Sequence, residues 1–173
     1  GIIAGGYFNS DSIDLGNGVT LNNNGSHDGM IIKYDADGEV QWAKGIGGSN
    51  DDEITSVAET RDGGIIAGGY FYGDIDLGNG VTLNNNGKYE GMIIKYDSEG
   101  NVQWAKGIGG SRDDRIQSVA STSDGGIIAG GYFESSSIDL GNGVALNNNS
   151  SSTSYSDGMI IKYDANGTAQ WAK

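Results

Sequence analysis

The segment GIIAGGYF occurs three times, at Gly1–Phe8, Gly64–Phe71 and Gly126–Phe133. The copies begin at residues 1, 64 and 126, and a fixed period of about 62 residues is the signature of a repeat architecture. Three further segments recur in the same order within each period. They are IDLGNGV at Ile13, Ile75 and Ile138, GMIIKYD at Gly29, Gly91 and Gly158, and QWAK at Gln41, Gln103 and Gln170. The chain is therefore a tandem array of one unit.

Each unit reads as four short strands separated by turns. In the middle unit we predict strands at Ile54–Thr60, Gly64–Phe71, Gly91–Asp97 and Val102–Lys106. The turn between the last two, DSEG, holds the glycine that a tight hairpin requires. Short strands at regular spacing without helical periodicity indicate an all-β fold. Four antiparallel strands per repeat are the unit of a β-propeller blade, and the alternative is a β-solenoid.

The repeat boundaries predict a single array, residues 1–173, of three propeller-like blades. The units cover about residues 1–53, 54–115 and 116–173, and the first lacks its inner strand. Three blades form an incomplete ring, since propellers close with four to eight. Open blade edges expose unpaired backbone groups that promote association. We therefore expect either part of a larger propeller or a self-associating subunit, with further repeats or other copies as partners.

The composition argues against several classes of function. The 173 residues include no cysteine and no proline, and their formal net charge is −13. Without cysteine there is no disulfide framework, thiolate metal site or cysteine nucleophile. A strongly acidic surface repels phosphate groups, so we expect no nucleic-acid partner. No apolar run approaches the roughly 20 residues of a membrane helix, so we expect no membrane insertion.

The strand and hairpin segments resemble a known family. The stretch DGMIIKYDADGEVQWAKGIGG (Asp28–Gly48), with the segments around it, resembles the bacterial seven-bladed β-propeller (SBBP-type) repeats of secreted and cell-surface proteins. Within it, YDADGEVQWAK (Tyr34–Lys44) also resembles the tryptophan-bearing hairpin of quinoprotein-like propeller blades. The resemblance implies an extracellular or cell-surface location. It also implies a structural role, that of a scaffold or self-assembling element.

The residues give little support for catalysis. The single histidine, His27, lies in a connection that varies between copies, and the other copies hold tyrosines nearby. A Ser-His-Asp arrangement needs a histidine placed and oriented by neighbours, and nothing in the sequence singles out such neighbours. We therefore predict that the protein is not an enzyme.

Two connections vary while the strands stay nearly identical. After GGYF the copies differ at residues 9–12, 72–74 and 134–137, and after LNNN they differ at residues 25–28, 87–90 and 150–157. In a propeller blade both connections and the linking segments flank the same face, and variable loops on a fixed scaffold are typical of a recognition surface. The alternative is drift where nothing packs. Our candidates for contacting a glycan or protein are Tyr72, Tyr89, Tyr155 and His27.

Paired carboxylates recur in the linking segments, as Asp51-Asp52 and Asp113-Asp114. Calcium prefers several carboxylate and carbonyl oxygens, so these pairs predict a calcium site, joined by the aspartates of IDLGNG. The alternative is that the carboxylates accept hydrogen bonds from the loop backbone. No other cofactor is expected. The aspartates of IDLGNG are Asp14, Asp76 and Asp139.

One tryptophan closes each unit. Trp42, Trp104 and Trp171 occupy the same place in QWAK, beside small and charged residues. A large aromatic ring at a fixed position of each repeat is typical of packing between repeats. We therefore predict that these three residues are structural and lie between neighbouring blades.

Overall fold

The computed structural model describes residues 1–148 and 155–173. These residues form short strands joined by turns, and among them no helix is long and apolar enough to cross a membrane. The strands are β1 (Ile2–Phe8), β2 (Ser12–Asp14), β3 (Thr20–Asn22), β4 (Asp28–Tyr34), β5 (Val40–Ile46), β6 (Glu53–Glu59), β7 (Ile65–Phe71), β8 (Ile75–Asp76), β9 (Thr82–Leu83), β10 (Glu90–Tyr96), β11 (Val102–Ile108), β12 (Asp114–Ser121), β13 (Ile127–Phe133), β14 (Ser137–Asp139), β15 (Ala145–Asn147), β16 (Asp157–Tyr163) and β17 (Ala169–Ala172).

Three antiparallel sheets form the blades. Blade 1 has the strand order β1-β4-β5, blade 2 has β6-β7-β10-β11, and blade 3 has β12-β13-β16-β17. Strand β6 is therefore the inner strand of blade 2, and β12 is that of blade 3. Blade 1 has three strands, and no strand within residues 1–148 and 155–173 pairs with the second edge of β1. The prediction of an all-β, propeller-like fold is confirmed. The antiparallel sheets are those of propeller blades and not the coils of a β-solenoid.

The connection between the second and third strand of each blade is itself a hairpin. Strands β2 and β3, β8 and β9, and β14 and β15 form three two-stranded sheets. The sequence LGNG turns the chain between them, because Gly16, Asn17 and Gly18 all have positive φ. From the sequence this segment is predicted only as a long connection. Its strands were missed because each is only two or three residues long.

The DADG, DSEG and DANG segments form the tight turns that the sequence predicts. In the first, the side chain of Asp35 accepts hydrogen bonds from the backbone N–H of Asp37 and of Glu39, both at 2.9 Å. Gly38 has φ +86°, a left-handed conformation that favours glycine. These aspartates therefore stabilise hairpin turns by local side-chain to backbone bonds.

The apolar core lies between blades rather than within them. Ile31 of blade 1 is fully buried in one cluster with Ile65 and Phe71 of blade 2. Ile93 of blade 2 is buried in a second cluster with Ile127 and Tyr163 of blade 3. Burying one such side chain contributes roughly 2 kcal/mol. A blade is therefore stabilised mainly by the blade beside it.

The inner strands are tied to each other through an irregularity. The register of β6 on β7 shifts between Ile54 and Ser56, which sets Thr55 outside the regular pairing. The Thr55 hydroxyl then donates to the backbone oxygen of Ile116 in β12 at 2.8 Å, and the Ser56 hydroxyl oxygen accepts from the N–H of Val119 at 3.1 Å. Such bulges re-aim a side chain, and here they join two blades.

Candidate functional site

The linking segments are anchored by buried carboxylates. The side chain of Asp52, which is fully buried, accepts hydrogen bonds from the N–H of Gly48 at 2.8 Å and of Tyr72 at 3.1 Å. Asp114 does the same one blade later, with Gly110 and Ser135 as donors at 2.8 Å and 3.1 Å. Each carboxylate therefore fastens a linking segment to the connection that leaves the next blade's second strand.

Burial changes the protonation of Asp52. The pKa of its carboxyl is raised to about 6, mainly because the group is removed from water. The nearby carboxyl of Asp28 also raises this pKa, whereas the two backbone hydrogen bonds lower it. Glu90, which holds the position of Asp28 in blade 2, also has a raised pKa because of burial. The junctions between blades therefore contain carboxyls that bind protons more readily than free ones.

Asp51, the first aspartate of the first doublet, has a different role from Asp52. The carboxylate of Asp51 accepts a hydrogen bond from the hydroxyl of Tyr89 at 2.9 Å, and it lies 3.4 Å from Nδ1 of His27. His27 and Tyr89 hold equivalent positions in successive units, so Asp51 joins the variable connections of blades 1 and 2. The ring of His27 also lies 5.0 Å from the ring of Tyr7.

A cluster of aromatic rings surrounds one arginine where blade 2 meets blade 3. We call Tyr70, Tyr72, Tyr89 and Arg115 the aromatic cluster. The guanidinium carbon of Arg115 lies 4.1 Å from the ring centre of Tyr70 and 4.4 Å from that of Tyr89. The rings of Tyr72 and Tyr89 are 5.5 Å apart, and Tyr72 is exposed. The cluster presents ring faces and a cation, the groups that stack on sugars and on protein side chains.

Two tyrosine hydroxyls of the cluster are fixed by carboxylates. Tyr70 donates to Glu53 at 2.5 Å, and burial together with Glu53 raises the pKa of the Tyr70 phenol. Burial and Asp51 raise the pKa of Tyr89 in the same way. Both phenols therefore stay protonated at neutral pH, and their rings are held in place by donated hydrogen bonds.

The structure places the predicted candidates in three settings. Tyr72 and Tyr89 are in contact, and His27 reaches them through Asp51. Tyr155 is exposed in blade 3, where its backbone oxygen accepts from Asn148 at 3.2 Å. Residues 149–154 of its connection lie outside the described residues. A recognition role for these residues stays a prediction.

Sequence reasoning missed two members of the cluster. Tyr70 lies in the GGYF segment that is identical in every copy, so a search for variation does not find it. Arg115 was visible as a difference, because the equivalent position in the preceding unit is Glu53. That exchange of charge was the signal, and the structure shows that it places a cation between two rings.

The carboxylates proposed for calcium do not converge in the described part of the chain. No group of three or more acidic or histidine side chains there is arranged to hold a metal ion. Asp52 and Asp114 accept backbone hydrogen bonds, as above. The aspartates of IDLGNG are exposed and accept the N–H two residues later in the turn, as Asp14 does from Gly16 at 2.9 Å. Calcium binding stays a prediction.

The tryptophans of blades 1 and 2 pack on the following blade. The indole of Trp42 covers Gly100 so closely that a Cβ there would lie 3.0 Å from the ring, and its Nε1 donates to the oxygen of Ser98 at 3.2 Å. Trp104 repeats the arrangement on Gly167 and Ala165, with an N–H to oxygen distance of 3.1 Å. One interface therefore occurs twice.

The third tryptophan is placed differently. Trp171 is 43 % exposed, and so is its neighbour Ile160 at 49 %, whereas its counterparts Ile31 and Ile93 are fully buried. At the other end of the array Ile2 is 64 % exposed although Ile65 and Ile127, its counterparts, are buried. The two end faces thus carry the two halves of the repeated interface, and no blade built from the described residues covers either of them.

Comparison with known proteins gives distant relatives. No protein-family model matches the chain. The chain is 27 % identical over 167 residues, 90 % of its length, to an uncharacterized WD repeat-containing protein, L264, of Acanthamoeba polyphaga mimivirus. It is 25 % identical over 114 residues, 64 % of its length, to the regulatory protein FlaEY of Caulobacter vibrioides. The matched part is 12 % of each relative. The similarity to a WD-repeat protein agrees with propeller-type repeats.

Proposed function

We propose that this chain is a non-enzymatic repeat scaffold whose blades add to one another through one repeated interface. The observation that carries the proposal is the state of the end faces. Trp171 and Ile160 at one end, and Ile2 at the other, are exposed versions of side chains that the interior interfaces cover. Large apolar side chains grouped on a surface mark an interaction site.

The complementary face is present at the opposite end of the array. Tyr34, Ala36 and Gly38 are the blade 1 counterparts of Tyr96, Ser98 and Gly100, on which Trp42 packs. A Cβ at Gly38 would meet no atom within 4 Å, so space for an indole is free there. A heterologous contact of this kind joins subunits head to tail. The blade that fits either face is another repeat, in a second copy or in a longer array.

Sedimentation velocity tests the scaffold. The chain should show a mass that rises with concentration, because each end face buries apolar area only against another blade. Trp171→Ala and Ile160→Asp should weaken this association at least tenfold, since both side chains are already exposed and their loss leaves the fold intact. Tyr155→Ala, which removes another exposed aromatic side chain, is the matched control. A mass of one chain at every concentration would contradict the proposal.

We also propose that the scaffold works outside the cell or on its surface, as a member of the SBBP-type repeats. The resemblance of Asp28–Gly48 to those repeats supports this, as does an acidic surface that suits solubility. Protease treatment of intact cells that make the protein tests the location. Digestion without lysis is expected, and complete protection until lysis would contradict it.

A second candidate function is recognition of a glycan or protein by the aromatic cluster. The observation in its favour is Arg115, held between the rings of Tyr70 and Tyr89 beside the exposed Tyr72. Glycan and protein arrays probed with the chain test it. Tyr72→Ala should abolish capture while leaving sedimentation unchanged, and Trp171→Ala should do the reverse. Capture that is unaffected by Tyr72→Ala would contradict recognition at this cluster.

A further inference from the structure

The free edge of β1 has the features of the strand edges that are occupied in the other blades. The counterparts of β1 are β7 and β13, and each pairs on this edge with an inner strand, β6 or β12. Those inner strands read EITSVAE and DRIQSVAS, with Ile-x-Ser-Val-Ala in common. We propose that the edge of β1 is a binding site for an extended segment of this inner-strand type. The inference rests on the proposed function, since its occupant is a strand of a further repeat.

A glycine of β1 marks the path of the missing strand. A Cβ on Gly69 of β7 would overlap the backbone oxygen of Glu53 in the inner strand, and a Cβ on Gly131 of β13 would overlap that of Arg115. Only glycine lets the two backbones come so close. Gly6 holds the same position in β1, where a Cβ would meet only the methyl carbon of Met30 at 3.6 Å. The space above Gly6 is therefore open at the position where the inner strand lies in the other two blades.

A lysine of blade 1 supplies a charged contact for the same occupant. Lys95 binds Asp62 at 2.7 Å, and Lys162 binds Asp124 at 2.7 Å, and both aspartates lie in the turn that follows an inner strand. Lys33 is the counterpart in blade 1, and its Nζ donates to the backbone oxygen of Ser98 at 3.1 Å. An inner strand that brings its own aspartate would offer Lys33 the stronger, charge-assisted partner.

The register of the bound segment follows from blade 2. There Glu53 pairs with Tyr70, Ile54 with Gly69 and Glu59 with Ile65. Transferred to β1, the segment would run antiparallel from Tyr7 through Gly6 to Ile2. The Tyr70 hydroxyl donates a hydrogen bond to Glu53. The glutamate of the segment would accept the same bond from Tyr7, which is an exposed residue. Main-chain bonds supply affinity and these side chains set the register, as in other strand additions.

A synthetic peptide tests the site directly. The peptide is residues 50–62 of this chain, NDDEITSVAETRD, acetylated, amidated and carrying a fluorophore. Its fluorescence anisotropy is titrated with the full 173-residue chain. Saturable binding of one peptide per chain is expected, together with slower amide hydrogen exchange in Ile2–Phe8. A peptide of the same composition in reversed order is the control for charge and composition.

Matched variants separate strand pairing from other contacts. Gly6→Ala should leave stability unchanged, because its Cβ has room, and Gly6 does not have a positive φ. It should nevertheless weaken peptide binding at least tenfold, because the Cβ blocks the approaching backbone. Changing the peptide at Asp62 to asparagine should weaken binding several-fold to the natural chain. The same peptide change should cost nothing further in Lys33→Met.

Several outcomes would overturn the inference. They are no saturable binding to a chain whose circular dichroism shows it folded, equal binding to Gly6→Ala, or a dimer paired through two β1 edges that the peptide does not dissociate. The scaffold proposal fails separately. If the chain self-associates through Trp171 but does not bind the peptide, the scaffold proposal stands and the strand site is contradicted. If the chain is monomeric but binds the peptide, the strand site stands and the scaffold proposal is contradicted.

Discussion

Blade 2 and blade 3 carry the same tryptophan in the same QWAK segment, yet the two rings have different surroundings. Trp104 of blade 2 lies on Gly167 and donates to Ala165 of blade 3. Trp171 of blade 3 is 43 % exposed. A blade therefore does not bury its own apolar face. Each unit contributes half of an interface, and the neighbouring unit supplies the other half, as in other repeat architectures.

The largest expected difference in stability is between two equivalent glycines. An inner strand lies over Gly69 in blade 2, whereas the space over Gly6 in blade 1 is open. Gly69→Ala should destabilise the chain by more than about 3 kcal/mol or prevent folding, because its Cβ overlaps a backbone oxygen that cannot move alone. Gly6→Ala should change the free energy of unfolding by no more than about 0.5 kcal/mol. Urea denaturation measures both. Equal effects would show that the two positions have the same surroundings.

The tryptophans give the next largest difference. Trp104→Ala should reduce the free energy of unfolding by about 3 kcal/mol, since it leaves a cavity beside Gly167 and removes a hydrogen bond to Ala165. Trp171→Ala should cost less than about 1 kcal/mol at concentrations where the chain is monomeric, because the ring is already in water. Urea denaturation of dilute samples measures the free energy of unfolding of both variants. Similar losses would show that the two rings are equally buried.

The buried carboxyl of Asp52 makes the free energy of unfolding depend on pH. The folded-state pKa of Asp52 is about 6, above the unfolded value of 3.8, so its burial is unfavourable once the carboxyl ionises. Stability should therefore fall by about 2 kcal/mol as pH rises from about 4 to about 7. The lowered pKa values of Asp62 and Asp124 act below this window, where stability is lost as pH falls.

Asp52→Asn is the control for the pH effect. Its free energy of unfolding should vary less between pH about 5 and about 7.5 than that of the natural chain, because the titrating group is gone. Urea denaturation at the two pH values measures the difference. An undiminished pH dependence in the variant would assign the effect to other groups.

The smallest expected change in stability is at the aromatic cluster, where Arg115 of blade 3 contacts two tyrosines of blade 2. Arg115→Ala should cost about 1 kcal/mol, because the guanidinium stacks on two tyrosines that remain packed by other contacts. Lys88→Ala, at an exposed lysine of the connection that also holds Tyr89, is the control for loss of charge. Thermal unfolding monitored by tyrosine fluorescence measures the stability of both variants. A loss of stability as small in Arg115→Ala as in its control would show that the stacking does not stabilise the fold.

The sequence predicts the blade strands well because identical segments recur and the turn residues are specific. Gly64–Phe71, Gly91–Asp97 and Val102–Lys106 lie within a residue or two of observed strands. The short hairpins in the long connections were missed, since two or three residues carry too little pattern. The exposure of Trp171 was missed for a different reason. Identical residues imply identical surroundings only when every unit has a neighbour, and that depends on the assembly.

The candidate site could be predicted only in part. Variation between copies located Tyr72, Tyr89 and His27, because a fixed scaffold makes differing loops visible. It could not reveal Tyr70, which is the same in every copy, or the stacking of Arg115 from one blade onto two rings of another. Contacts between units depend on the inter-blade geometry, and a single sequence does not contain that geometry in readable form.

The most direct measurement is fluorine NMR of the chain labelled with 5-fluorotryptophan, since it reports each of the three tryptophans separately. In dilute solution one resonance, absent from Trp171→Phe, should show the largest D₂O isotope shift of the three. On raising the concentration that resonance alone should move toward the other two, as a second copy covers the ring. Two results would contradict the proposal that Trp171 is an exposed contact for another blade. One is a Trp171 resonance with as small an isotope shift as the others in a monomer, and the other is a resonance that concentration does not change.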